Sequence, residues 1–148
     1  MRDEQYVLNL CDIVLDHVAS RQHRFDFLRG DKCKRVNGEI VEVFQEQGRK
    51  LPVDAYYEEL DLVIEFLEIQ HFQPVGFFDN RMTCSHVTRD IQRQIYDERR
   101  RVRLTENDIC LIEFPYTDFN HRNNGKLVRD DNDVLVIRNK LRQFCTLH

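Results

Sequence analysis

The segment that most constrains the fold covers residues 51–72, LPVDAYYEELDLVIEFLEIQHF. Apolar and polar residues alternate over residues 51–57, which is typical of a strand with one buried face. After a turn at residues 58–61, residues 62–64 are continuously apolar, as expected for a strand that is covered on both faces. The two runs therefore predict a β-hairpin.

The rest of the chain supplies helices and further strands around this hairpin. Apolar residues at helical spacing predict helices over residues 3–19, 87–104 and 131–145. Short apolar runs predict strands at residues 23–29 and 108–116. Residues 31–50 read as a polar excursion with a short strand or helical turn near residues 40–44, and residues 73–85 as an irregular loop. This order, α-β-β-β-α-β-α, predicts one α/β domain over residues 1–148, with a central mixed four-stranded sheet flanked by helices.

Composition limits the class of protein. With 32% charged and 41% hydrophobic residues, the chain is expected to be a soluble globular protein. No apolar run approaches the roughly 20 residues of a membrane span, and no signal-peptide pattern opens the chain. The five cysteines are widely spaced and lack a CxxC pair, which favours a reduced, cytoplasmic protein. A zinc site at Cys84, His86 and His71 is a weaker interpretation, since no spacing rule supports it.

Charge is distributed unevenly along the chain. The net charge of −4 argues against a general polyanion binder. Residues 89–103, however, contain six arginines against three acidic residues. Arg93, Arg100 and Arg101 are therefore candidate contacts to a nucleic-acid backbone. The alternative is a ladder of surface salt bridges along the helix, in which Arg93 shares a face with Asp90 and Asp97.

Two carboxylates of the hairpin form the candidate site. Asp54 lies on the polar side of the first strand and Glu65 closes the second, so a tight hairpin brings both to one end of the sheet. Converging carboxylates suit Mg²⁺, which can polarise a phosphate and activate water. Gln70 follows at the edge of the site and His71 at its rim, where a histidine can act as a general base. Each residue alone has an ordinary structural explanation; their joint arrangement indicates a site.

The same residues resemble the core of the PD-(D/E)XK nuclease superfamily. The resemblance is to the branch that contains the very-short-patch mismatch repair endonucleases and the phage homing endonucleases with an EDxHD site. The matching pieces lie at residues 51–57, 60–72, 96–101 and 109–116. The resemblance implies a restriction-endonuclease-like core and a Mg²⁺- or Mn²⁺-dependent endonuclease that hydrolyses DNA phosphodiester bonds, in a repair, restriction or mobile-element context. It implies no organic cofactor and no membrane.

The resemblance also assigns roles by position. Asp54 becomes the central metal ligand, Glu65 the second acidic ligand and His71 the candidate base. Asp97 becomes the late acidic residue on the helix, with Arg100 near the usual basic position.

An early acidic residue from the first helix is assigned less securely to Asp12. Leu67 stands where the superfamily has the lysine of its E-x-K motif. Gln70 and His71 are the candidates to take over the part of that lysine. Glu68 stands where the branch has a glycine, and is either an additional acid or a solvent-facing residue.

Two other functions compete with a catalytic nuclease. A catalytically inactive protein of the same fold could bind nucleic acid or a protein partner, which the missing lysine and the negative net charge favour. A homodimer could form through residues 131–145, whose apolar positions fit a monomer core equally well.

Overall fold

The structure is a computed structural model, and it describes residues 1–72 and 82–145. Within these ranges the chain forms three α-helices and six β-strands. In chain order they are α1 (Asp3–Leu15), β1 (Ser20–Arg29), β2 (Lys32–Val36), β3 (Glu39–Phe44), β4 (Lys50–Tyr57), β5 (Leu62–Leu67), α2 (Arg89–Glu106), β6 (Cys110–Pro115) and α3 (Asn132–Lys140). The loop predicted at residues 73–85 falls largely on residues 73–81, outside the described residues.

Four strands form a mixed sheet in the order β1-β4-β5-β6. β4 and β5 are antiparallel, with Ala55 opposite Ile64, and β5 and β6 are parallel, with Glu65 opposite Glu113. Parallel neighbours need a long connection, which α2 supplies here. The predicted α/β class, the hairpin and the mixed four-stranded sheet are confirmed.

The first and last helices are shorter than predicted. α1 ends at Leu15 because Asp16 adopts a left-handed conformation (φ 54°), in which its backbone N–H bonds the carbonyls of Asp12 and Ile13. Such a residue ends a helix and redirects the chain. The last helix ends at Lys140 and a single 3-10 turn, Arg142–Phe144, follows it.

The region predicted as a polar excursion contains a separate two-stranded ribbon, β2–β3. The ribbon turns at Asn37 and Gly38, whose φ values of 53° and 81° are those of a tight two-residue hairpin turn. The sequence signal is the Asn-Gly dipeptide between two β-branched residues, Val36 and Ile40. The strand alternative at residues 40–44 was therefore right, and its partner strand was missed.

Contacts divide the chain into two compact units. The first unit comprises Met1–His23, Val53–Gln70 and Cys110–His148. Its core is formed where α1 packs on α3 and β5. The buried side chains of this core share near-zero exposure and include Val7, Leu8, Cys11, Tyr57, Leu62, Ile64, Phe114, Ile137 and Leu141. Ile137 and Leu141 thus belong to the monomer core, while Leu135 is exposed; the homodimer stays a prediction.

The second unit comprises Arg24–Pro52 and His71–Ile109. Among its described residues, the large apolar side chains that are buried are Leu28, Leu51, Leu104 and Ile109. A polar network adds to this small core. Gly30 packs directly on Tyr96, because a Cβ at position 30 would lie 2.8 Å from the Tyr96 hydroxyl oxygen.

The polar network of the second unit centres on Asp31. Its carboxylate accepts hydrogen bonds from Arg99 (2.8 Å), Ser85 (2.5 Å) and the backbone N–H of Glu46 (3.0 Å). Burial alone would raise the pKa of Asp31, but these donors hold it below its usual range. Asp31 is therefore charged in the folded protein and acts as a structural centre.

A disulfide joins Cys33 of β2 to Cys84, with Cα atoms 4.9 Å apart. The sequence favoured a reduced protein, and the pair could not be found from spacing because 51 residues separate its members. Because its sulfur is bonded to Cys33, Cys84 is not available as a zinc ligand. Cys11, Cys110 and Cys145 are free thiols. In the part of the chain that the structure describes, no helix is both long and apolar enough to cross a membrane.

A carboxylate cluster as the candidate active site

Three carboxylates of the first unit meet where the β4–β5 ladder ends. Beyond the pair Ala55–Ile64, the carboxylates of Asp54 and Glu65 replace backbone carbonyls as acceptors. Glu65 Oε2 accepts the backbone N–H of Asp54 (3.1 Å), and Asp54 Oδ2 accepts the backbone N–H of Phe66 (2.8 Å). Glu4, from the first turn of α1, shares a side-chain hydrogen bond with Asp54. The hairpin thus brings Asp54 and Glu65 together as predicted.

The electrostatics of the cluster are unfavourable to full ionisation. Burial raises the pKa of Asp54 to about 7, and the charge of Glu65 and a hydrogen bond to it add to the rise. Burial likewise raises the pKa of Glu4 to about 7, with Asp54 adding to the rise and the cations Arg2 and Arg21 opposing it. A carboxylate that only capped backbone N–H groups would have a lowered pKa. Crowded carboxylates with raised pKa values are characteristic of functional sites.

The donor set suits Mg²⁺ or Mn²⁺ better than zinc. Within the described ranges, no group of three or more His, Cys, Asp or Glu side chains is arranged to hold a metal ion. Mg²⁺ does not require such a cage, because it usually keeps several waters and binds one or two carboxylates plus substrate phosphate. Asp54 and Glu65 supply two such carboxylates, whereas a structural zinc site needs four closely placed nitrogen or sulfur ligands.

Glu4, rather than Asp12, is the carboxylate of α1 that reaches Asp54. Asp12 Oδ1 accepts a hydrogen bond from the buried Tyr57 hydroxyl (2.6 Å), and its Oδ2 pairs with Arg21 (2.7 Å). Burial and this hydrogen bond raise the pKa of Tyr57. Sequence reasoning missed Glu4, although it stands three and four residues before the buried Val7 and Leu8 and so lies on the apolar stripe of the helix.

We expect Asp12→Ala to lower the free energy of unfolding by about 2–4 kcal/mol, because it leaves the Tyr57 hydroxyl buried without an acceptor and Arg21 without its carboxylate partner. Urea unfolding measures the change. Ile13→Ala is the control, since Ile13 is 71% exposed on the same helix. If both variants unfold at the same urea concentration, Asp12 does not have this anchoring role.

His71 and Asp97 form a hydrogen-bonded pair within the second unit. The distance from His71 Nδ1 to Asp97 Oδ2 is 3.1 Å, and Asp97 Oδ1 accepts a bond from Arg100 (3.2 Å). Arg100 Nε also donates to the carbonyl of Pro52 (3.2 Å). A carboxylate on one ring nitrogen fixes the orientation of an imidazole and directs the other nitrogen outward for proton transfer. Three residues predicted from the sequence are therefore brought together here.

Most arginines of α2 take part in ion pairs of the second unit. Arg99 pairs with Asp31 (2.8 Å), Arg103 with Glu46 (2.7 Å) and Arg101 with Glu98 (3.3 Å). Of these three contacts, only the pair Arg101–Glu98 runs along the helix as the salt-bridge alternative expected, whereas Asp31 and Glu46 belong to distant segments of the second unit. Arg93 is half-buried, and its contact with a nucleic-acid backbone stays a prediction.

Gln70 and Glu68 lie on a polar cleft of the first unit, of about 630 Å³. Comparisons of the chain with protein-family models, with curated proteins and with solved structures found no match. The functional assignment therefore depends on the carboxylate geometry and on the resemblance of the sequence segments.

Proposed function

We propose that the protein is a Mg²⁺- or Mn²⁺-dependent endonuclease with a restriction-endonuclease-like core that hydrolyses DNA phosphodiester bonds. The observation that carries this proposal is the cluster of Glu4, Asp54 and Glu65 at the end of the β4–β5 hairpin, where burial and like charges raise the pKa of Glu4 and Asp54 to about 7. The order of helices and strands around the hairpin supports it.

Each carboxylate has a distinct part in this proposal. Asp54 and Glu65 would hold the cation, which supplies Lewis-acid polarisation of the phosphate and a more acidic water when bound. Both are positioned through the backbone, because each accepts a strand N–H with one oxygen. Glu4 can gain or lose a proton near neutral pH, which suits a general acid or base beside the reacting phosphate.

The resemblance assigns His71 as a base of the same reaction. The hydrogen bond to Asp97 supports that role, because it orients the imidazole. The role is tested separately by His71→Ala, and it is not needed for the metal-ligand assignment of Asp54 and Glu65.

A cleavage assay tests the proposal. Supercoiled plasmid and a labelled duplex are incubated with the protein in Mg²⁺, in Mn²⁺ or in EDTA. We expect nicked or linear DNA only when metal is present. Glu65→Gln should cleave at a rate at least about a hundredfold lower than the wild type, since a ligand of the cation is lost. Glu59→Gln, an exposed acid in the turn of the same hairpin, is the matched control and should cleave normally.

Two outcomes would contradict the proposal. Cleavage that persists in EDTA would show that the reaction does not depend on a divalent metal. Absence of cleavage on every DNA substrate, combined with salt-sensitive DNA binding, would instead support the catalytically inactive, nucleic-acid-binding member of the fold.

A further inference from the structure

The cleft of the first unit lies between the start of α1, the segment after β5 and the loop before α3. It has a volume of about 630 Å³, and its lining includes the basic residues Arg2, Lys126 and Arg129 and the amides Gln70 and Asn124. No local sequence motif marks this cleft, because its walls come from three distant parts of the chain.

The concentration of positive charge in this cleft is unexpected for its surroundings. The first unit contains eight Lys and Arg residues against fifteen Asp and Glu residues, which gives a net charge of −7. Three of those eight basic residues nevertheless line the one cleft. Clustered cations on an acidic body create a local attraction for anions that the net charge conceals.

Two of the three cations form no ion pair with a carboxylate in the part of the chain that the structure describes. Arg129 pairs with Asp3 (2.9 Å) and lies over the ring of Tyr6, so it is neutralised within the fold. Among the described residues, no ion pair engages Arg2 or Lys126. Glu68 is the acidic residue of the lining that remains once Asp3 is paired. Arg2 and Lys126 are therefore available to an anionic ligand.

The loop that carries Lys126 is held in place against the segment after β5. Gly125 has φ +87°, and a Cβ there would lie 2.7 Å from the Cβ of Ile69. The backbone N–H of Lys126 donates to Asn124 Oδ1 (3.0 Å), and its carbonyl accepts the N–H of Arg122 (2.8 Å). A preformed loop loses little conformational freedom when a ligand binds.

Two lining residues of the cleft stand close in sequence to members of the carboxylate cluster. Arg2 precedes Glu4 by two residues, and its charge acts on that carboxyl against the larger effect of burial. Gln70, which also lines the cleft, follows Glu65 by five residues. A chain of phosphates that reached Glu4, Asp54 and Glu65 could thus continue into the cleft.

We propose that this cleft binds the phosphodiester backbone of a nucleic-acid strand beside the carboxylate cluster, with Arg2 and Lys126 contacting phosphate oxygens. The identity of the strand as the one to be cut rests on the proposed function. The binding itself does not, because it requires neither metal nor cleavage.

Fluorescence anisotropy in EDTA tests the cleft, with labelled single-stranded DNA and RNA of one sequence as probes. We expect Arg2→Glu and Lys126→Glu each to weaken binding by about tenfold at low salt on both probes, and the pair to reduce the slope of log affinity against log salt by about 1.4, since each phosphate contact on a single strand contributes about 0.7. Arg122→Glu is the matched control, being an exposed arginine of the same loop that does not line the cleft.

Three results would overturn this inference: wild-type affinity in both cleft variants, an equal loss in Arg122→Glu, or displacement of the probe by millimolar inorganic phosphate, which would make the cleft a site for free phosphate. Because Lys126 and Arg122 are exposed, urea unfolding should give the wild-type midpoint for Lys126→Glu and Arg122→Glu. Arg2→Glu reverses a charge that opposes the raised pKa of Glu4, so a lower midpoint is expected for that variant. If binding depends on the cleft but no DNA is cleaved in Mg²⁺, the proposed nuclease function is wrong and the cleft proposal stands. If Lys126→Glu binds and cleaves DNA as well as the wild type does, the cleft proposal is wrong and the proposed function stands.

Discussion

Asp54→Asn is expected to abolish metal-dependent cleavage and, at the same time, to stabilise the folded protein near neutral pH. The amide keeps the shape of the carboxylate, and its oxygen can still accept the N–H of Phe66. It cannot supply the negative charge that a divalent cation needs, so we expect a loss of at least about a hundredfold in rate. It also removes one of the like charges beside Glu65, which favours the folded state.

The pH dependence of this stabilisation follows from the raised pKa of Asp54. The folded protein holds a proton on this carboxyl up to a pH of about 7, whereas its ordinary value is 3.8. Between those values the folded state binds more protons than the unfolded state, so wild-type stability falls as pH rises and then levels off. The advantage of Asp54→Asn should therefore be greatest above pH 7, at about 1–3 kcal/mol, and should shrink toward pH 4.

Urea unfolding between pH 4 and pH 8, together with the plasmid assay, measures both effects. Asp61→Asn is the control, because Asp61 is an exposed residue in the turn of the same hairpin whose left-handed conformation (φ 47°) asparagine tolerates. It should change neither property. A variant at position 54 that loses stability at every pH would show that Asp54 serves the fold, and one that cleaves normally would remove it from the site.

Reduction of the Cys33–Cys84 disulfide is expected to destabilise the second unit. The bond closes a loop of 51 residues, for which restriction of the unfolded chain corresponds to about 4 kcal/mol. The effect matters in this unit because few apolar side chains are buried among the residues of it that the structure describes. Small cores commonly depend on such crosslinks.

Thiol counting and urea unfolding with and without reductant measure this effect. Without reductant the denatured protein should show three thiols, from Cys11, Cys110 and Cys145. The variant with Cys33→Ser and Cys84→Ser should have the urea midpoint of the reduced wild type, with or without reductant. Cys110→Ser changes an exposed free cysteine, so reductant should lower its midpoint as it does for the wild type. Five thiols counted without reductant would show that the disulfide is absent and that the protein is reduced, as the sequence favoured.

The hairpin and its carboxylates could be predicted because their signals are local. Alternation over residues 51–57 and the apolar run that follows define two strands, and pairing them places Asp54 opposite Glu65. The position of Glu4 required the register of α1 on the sheet, which a single helix does not reveal. Asp12 occupies the same helix but turns to Tyr57, which only the packed core determines.

Other features depend on contacts between distant residues. The disulfide and the Asp31–Arg99 ion pair join residues that are 51 and 68 positions apart. β2 was missed for a different reason, since this strand is largely exposed and lacks the alternation of a buried face. The arginines of α2 looked like a basic surface because their acidic partners, Asp31 and Glu46, lie far away in the sequence.

Crystals soaked in Mn²⁺ show whether Asp54 and Glu65 hold the metal, because Mn²⁺ can be located by its anomalous scattering. We expect an anomalous peak bonded to carboxylate oxygens of Asp54 and Glu65, near Glu4, with the remaining positions filled by water, and no peak in crystals of Asp54→Asn. A Mn²⁺-soaked wild-type crystal without density at these carboxylates, or with the ion bound elsewhere and cleavage intact, would contradict it.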